Sequence, residues 1–86
     1  MNKNNWTIEE DRVVCSFCLE NKDLDESDKI NLSSLIASVQ MLDPDRTKGT
    51  IRTRYLNFLY LATDGRKGLK KVKKQQIIVY KEMCKK

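Results

Sequence analysis

The sequence predicts an all-α fold, a compact bundle of three to four helices. Apolar residues recur at helical spacing in four separate segments, and no segment shows the strict alternation of a half-buried β-strand. Glycine, proline or polar residues separate these segments. The chain has 86 residues, 40% hydrophobic and 34% charged, which is enough for one core. We therefore predict a single helical domain over residues 1–86.

The first helix is predicted to begin after Thr7. Thr7 and Glu10 have the spacing of a capping box, in which each side chain accepts a hydrogen bond from the other residue's backbone N–H. Residues 1–6 are expected to form a flexible start, although we expect the ring of Trp6 to pack on the core. The helix is predicted to end near Asn21. The apolar residues on its inner face are Val14, Phe17 and Cys18.

A second helix is predicted after the polar connection of residues 22–29. It begins at Ser27 or Asn31, and it ends before Pro44, which lacks a backbone N–H and disfavours a helical residue before it. The apolar stripe of this helix consists of Ile30, Leu32, Leu35, Ile36, Val39 and Leu42.

A third helix is predicted from about Thr47 to about Ala62. Its inner face contains Ile51, Tyr55, Phe58 and Leu59. Early in the helix the opposite side is polar and contains Lys48, Gly49, Arg52 and Thr53, whereas Leu56 and Tyr60 occupy it later. We expect Leu69 and the last helix to cover that later part. Only the N-terminal half is therefore predicted to be free for a polar partner.

A fourth, basic helix is predicted over residues 70–86, after the glycine-bearing turn of residues 63–68. Its inner face is predicted to contain Val72, Val79 and Met83. Lysines occupy most of its other positions.

Charge is divided unequally along the chain, whose formal net charge is +5. Residues 1–42 carry four basic and eight acidic groups, a net charge of −4, whereas residues 43–86 carry thirteen basic and four acidic groups, a net charge of +9. This distribution predicts a positive surface that faces a polyanion such as nucleic acid. The alternative interpretation is a solvated lysine-rich tail.

Catalysis, metal binding and cofactor binding are not predicted. The chain has no histidine, so the usual nucleophile–base pairs are absent. It also has no glycine-rich loop of the kind that binds phosphate groups. Cys15 and Cys18 have metal-ligand spacing but no second pair, and we expect them to pack in the core. The acidic residues 20–28 fit no calcium loop. No apolar run is long enough to span a membrane and no signal peptide precedes Trp6, so a cytoplasmic location with reduced cysteines is expected.

The most informative stretch is residues 46–54, where cationic and hydroxyl side chains surround a predicted helix N-terminus. It follows the second helix through a short turn, which is the order of a helix-turn-helix reader of double-stranded DNA. The lysines that follow residue 69 are predicted to form a second strip of phosphate contacts. The predicted nucleic-acid contacts are Arg46, Thr47, Lys48, Thr50, Arg52, Thr53, Arg54, Asn57, Lys70, Lys71, Lys73 and Lys74.

The residues Trp6-Thr7-Ile8-Glu9-Glu10-Asp11 resemble the opening of Myb/SANT-type helical domains. Residues 46–58, together with Gly68-Leu69 and Val79-Tyr80, are similar to the helical domain that precedes the nuclease module in many bacterial HNH endonucleases. The resemblance implies a helix-turn-helix-like DNA-binding module, with Arg46, Thr47, Lys48 and Thr50 at the start of the reading helix. It implies no cleavage, because the nuclease part is absent.

Two other functions remain as alternatives. A small protein-binding regulator or inhibitor of a nucleic-acid enzyme, of bacterial or phage origin, would use Leu56, Tyr60 and Tyr80 as exposed interface anchors. A membrane-surface helix over residues 69–86 is disfavoured, because this segment has few bulky apolar residues. The sequence does not choose between a monomer and a dimer.

Overall fold

A computed structural model of the protein describes residues 6–21 and 32–84, and these residues form four α-helices and no β-strand. The helices are α1 (Ile8–Asn21), α2 (Ser33–Leu42), α3 (Lys48–Ala62) and α4 (Lys74–Met83). Helix α1 packs against each of the other three. The predicted all-α bundle is confirmed. Within the described ranges, no helix has the length and apolar character needed to cross a bilayer. The predicted starts of the second helix, Ser27 and Asn31, lie outside the described residues.

Helix α1 begins with the capping box that the sequence predicts. The backbone N of Thr7 donates to Glu10 Oε1 at 2.9 Å, and the backbone N of Glu10 donates to Thr7 Oγ1 at 3.1 Å. Trp6 is buried, and its backbone carbonyl accepts a 2.7 Å hydrogen bond from Gln75 Nε2. The predicted flexible start of residues 1–6 is therefore wrong at Trp6, because α4 holds this residue. Residues 1–5 lie outside the described residues.

The core lies where α1, α2, α3 and α4 meet. All four residues of the predicted inner face of α3 are buried, namely Ile51, Tyr55, Phe58 and Leu59. Each side chain of this size contributes roughly 1.5–3 kcal/mol when it is fully buried. Phe17 is half-buried and meets the Tyr55 ring edge-on, with ring centroids 5.8 Å apart. The other fully buried apolar residues are Val14, Cys15, Cys18, Leu35, Val39 and Val79.

Cys15 and Cys18 are core residues, as the sequence predicts. Desolvation by burial raises the pKa of the Cys15 thiol to about 12, so this side chain behaves as a small apolar group. Cys84 is exposed at the end of α4.

The last helix begins later than the sequence predicts. Helix α4 begins at Lys74, with Lys73 as an extended N-cap residue, whereas the prediction placed its start near Lys70. The backbone N of Lys73 donates to Gln76 Oε1 at 2.9 Å, which fixes this start. Residues 69–73 precede the helix as an irregular segment.

Candidate nucleic-acid interface

Two ion pairs join the first helix to α3 and to the turn that precedes it. Arg46 Nε donates to Glu10 Oε2 at 2.9 Å and its Nη2 donates to Glu10 Oε1 at 3.0 Å, a bidentate pair. The Arg46 and Glu10 side chains are only 4% and 2% exposed. Arg54 makes the same kind of pair with Asp11, with distances of 2.7 and 2.8 Å. We call these four residues the ion-pair network.

The ring of Trp6 lies against this network. The guanidinium carbons of Arg46 and Arg54 are 4.5 and 5.0 Å from the centre of the ring, within the range of a cation–π contact. Gln75 Nε2 donates a further hydrogen bond to Asp11 Oδ2 at 2.7 Å. Residues from α1, α3, α4 and the segment before α1 thus satisfy one another's buried polar groups.

The Arg46–Glu10 pair favours the charged form of both residues. Burial alone raises the pKa of Glu10, but hydrogen bonds from Arg46 and Thr7 together with the Arg46 charge outweigh it and hold this pKa below its ordinary value. The hydrogen bond to Glu10 raises the pKa of Arg46. Both groups are therefore charged at neutral pH, and each neutralises the other.

The preceding turn fixes the irregular segment of residues 69–73 against the side of α3, and we call these residues the fixed segment. Gly68 has a φ of +88°, and a Cβ atom at this position would lie 2.2 Å from the carbonyl oxygen of Leu56. Two hydrogen bonds join the backbone of Leu69 to α3. Its N donates to the carbonyl oxygen of Leu56, and its carbonyl oxygen accepts from Asn57 Nδ2, each at 3.1 Å. Glycine is needed here because only it allows this approach.

An open cavity of about 910 Å³ lies between α3 and the fixed segment, and we call it the α3 groove. The α3 side is formed by Thr47, Gly49, Thr50 and Thr53. The opposite side is formed by Leu69, Lys70, Lys71 and Lys73. Trp6, Arg54 and Asn57 also line it. None of these lining residues is acidic.

The structure divides the twelve predicted contact residues into three groups. Six of them are exposed and line the groove: Thr47, Thr50, Thr53, Lys70, Lys71 and Lys73. Three are exposed but do not line it: Lys48, Arg52 and Lys74. The other three bind groups of the protein itself: Arg46, Arg54 and Asn57.

The roles expected of this last group are corrected. Arg46 is buried and paired with Glu10, so its guanidinium does not face a ligand. Arg54 lines the groove, but its Nε and Nη2 atoms are bonded to Asp11. Asn57 is 6% exposed and uses its amide group to hold Leu69, so it is a structural residue.

Three residues of the groove were not predicted from the sequence as site residues: Trp6, Gly49 and Leu69. The sequence does contain a signal for Gly49. Glycine weakens a helix, so a glycine inside a predicted helix indicates that packing or function requires it at that position. Trp6 and Leu69 give no comparable signal, since the sequence predicts that Trp6 packs on the core and that Leu69 packs on the later part of α3.

The fold partly covers the three residues that were expected to be exposed anchors of a protein-binding regulator. Leu56, Tyr60 and Tyr80 are all half-buried, and Leu56 and Tyr80 pack against the core. Within the described ranges, no group of three or more His, Cys, Asp or Glu residues is arranged to hold a metal ion.

Comparison of the chain with protein-family models, with curated proteins and with solved structures gives no match.

Proposed function

We propose that the protein binds double-stranded DNA, and that the α3 groove receives the sugar–phosphate backbone of one strand. The observation that carries this proposal is the composition of the groove. Three exposed lysines on one side face three threonines and a glycine on the other, and none of the described residues that line it is acidic. Lysine and hydroxyl side chains are the usual partners of phosphate oxygens in DNA-binding proteins.

The ion-pair network supports the proposal, because it neutralises two carboxylates that contact residues beside or lining the groove. Glu10 and Asp11 belong to the acidic half of the chain, and unpaired they would repel phosphate. Arg46 and Arg54 neutralise them. The lysines of the groove have no ion-pair partner among the described residues. Their charge is therefore available to a ligand.

Lys48 and Arg52 extend the positive surface beyond the groove. Both are exposed on α3, next in sequence to the groove residues Gly49 and Thr53. In a complex with a duplex they would reach neighbouring phosphates or base edges. The order α2, short turn and α3 is compatible with a helix-turn-helix-like mode of binding, and this mode is part of the proposal.

Salt dependence tests the proposal. We expect binding of a fluorescent random-sequence duplex, followed by anisotropy, to weaken steeply between about 50 and about 200 mM salt, because each phosphate contact releases counterions. The double variant Lys70→Gln/Lys71→Gln should lower the slope of log K against log salt by about 1.8, since each contact contributes about 0.9.

A variant with the same change in net charge provides the control. Lys81→Glu also removes two units of positive charge, but it lies on α4 outside the groove. We expect the slope of this variant to stay close to that of the unmodified protein. Equal slopes for both variants would show that binding follows net charge alone and would refute the role of the groove. An absence of binding at low salt would refute the proposed function.

A further inference from the structure

Gly49 differs from the other two glycines of the chain. Gly65 and Gly68 have positive φ angles and close neighbours, so their positions require glycine. Gly49 lies in the first turn of α3 without a positive φ, and a Cβ atom there would have no neighbour within 4 Å. Glycine destabilises a helix relative to alanine. The fold of the free protein therefore gives no reason for glycine at this position.

The position of Gly49 suggests a reason that involves a ligand. It lies on the α3 side of the groove, beside Thr50 and Thr53 and across from the lysines of the fixed segment. A side chain at position 49 would project into the space that a bound strand occupies. Without one, the surface of the ligand can touch the backbone of the helix.

We propose that Gly49 sets how closely the sugar–phosphate backbone of a DNA duplex approaches α3, and so determines affinity for duplex DNA. This inference rests on the proposed function. Lysines on the opposite side can adjust to the ligand because their side chains are long and flexible. The residues of the α3 side have short side chains on a helix, so they fix the distance of closest approach.

The groove favours a duplex backbone over stacked bases of a single strand. Among the described residues that line the groove, Trp6 alone is aromatic, and it is only 8% exposed. Its ring is already in contact with the guanidinium groups of Arg46 and Arg54. Single-strand binding proteins instead present exposed aromatic rings on which bases stack. We therefore expect weaker binding of a poly(dT) strand than of a duplex of equal length.

Substitutions at position 49 test the inference, because stability and affinity should change in opposite directions. Gly49→Ala should raise the Tm by a few degrees, measured by circular dichroism, and should weaken duplex binding about threefold. Gly49→Leu should weaken binding about tenfold or more, because its side chain fills space that the ligand needs. Ala37→Leu adds a side chain to an exposed position of α2 outside the groove, and it should bind like the unmodified protein.

The possible results separate this inference from the proposed function. Salt-dependent binding by the unmodified protein, with undiminished affinity in folded Gly49→Leu, would overturn the role of Gly49 and leave the proposed function in place. If Gly49→Leu does not fold, Gly49→Ala decides, and a raised Tm with unchanged affinity would overturn the inference. Equal affinity for poly(dT) and duplex would overturn the preference for a duplex. An absence of binding by the unmodified protein would overturn both proposals.

Discussion

Replacement of Arg46 by methionine is predicted to destabilise the fold strongly. Methionine keeps much of the apolar stem, but it leaves the Glu10 carboxylate, which is 2% exposed, without its bidentate partner. Breaking a buried pair in this way costs about 3–5 kcal/mol. A domain of this size has a total free energy of unfolding of roughly 4–13 kcal/mol, so a large part of it would be lost. At about 4–8 °C per kcal/mol, the Tm should fall by at least about 12 °C.

A double-mutant cycle followed by urea denaturation measures the pair itself. Glu10→Gln should cost less than Arg46→Met, because Asp43 Oδ2 still lies 3.5 Å from Arg46 Nε and partly compensates its charge. The double variant Glu10→Gln/Arg46→Met should recover at least about 1 kcal/mol relative to the sum of the single changes, since no unpaired charge remains. Arg12→Met is the matched control: Arg12 and Glu82 form an ion pair at 3.1 Å, but their side chains are 51% and 56% exposed, so the cost should be small.

The same variants have a distinctive dependence on pH. In the unmodified protein the lowered pKa of Glu10 contributes stability that is present above its ordinary pKa of 4.5 and is lost as the pH falls through the lowered value. In Arg46→Met the unpaired buried carboxyl should have a raised pKa, so the stability of this variant should increase from about pH 7 to about pH 5. A cost for Arg46→Met no larger than that for Arg12→Met, or strict additivity in the cycle, would refute the reasoning.

Three further predictions concern the turn, the fixed segment and the cysteines. Gly68→Ala should unfold the protein at a clearly lower temperature, because its Cβ would lie 2.2 Å from a backbone oxygen of α3; a Tm within about 2 °C of the original would contradict this. Asn57→Ala should weaken duplex binding and raise the hydrogen-exchange rate around Leu69, because it removes the hydrogen bond that holds the fixed segment on α3. Faster exchange without weaker binding would show that the position of the fixed segment does not matter for DNA binding. In the native protein a thiol reagent should modify Cys84 quickly and Cys15 only on unfolding, because burial raises the pKa of Cys15 to about 12; modification of both at similar rates, detected by mass spectrometry, would contradict its burial.

The helices were predictable because their signals are local. Thr7 and Glu10 are three residues apart, and the capping box they form depends on little else. The inner face of α3 follows from the 3.6-residue period alone. The start of α4 was predicted too early because residues 70–73, three lysines and a valine, are compatible with a helix, whereas the chain there is held by Leu69, which contacts residues more than ten positions away.

The sequence does not show which arginines are buried in ion pairs and which are exposed. Arg46 and Arg52 look alike in the sequence, since both are cations near the start of a helix. One is buried against Glu10, 36 positions earlier, and the other is exposed. No spacing rule within a helix reveals a partner at that distance. The sequence predicts a local role for Glu10 in the capping box, but it does not reveal that Glu10 and the adjacent Asp11 also pair with Arg46 and Arg54.

The ion-pair network also constrains how this sequence can diverge. A single substitution in Glu10, Asp11, Arg46 or Arg54 leaves a charged side chain without its bidentate partner, and such an intermediate is costly. We expect homologous chains to retain or replace each acid and its arginine together. A search for distant homologues should therefore weight these positions as covarying pairs: an adjacent Glu-Asp four residues after a tryptophan, and two arginines eight residues apart at the third helix. Such a pattern can be conserved between homologues whose overall sequence identity is low.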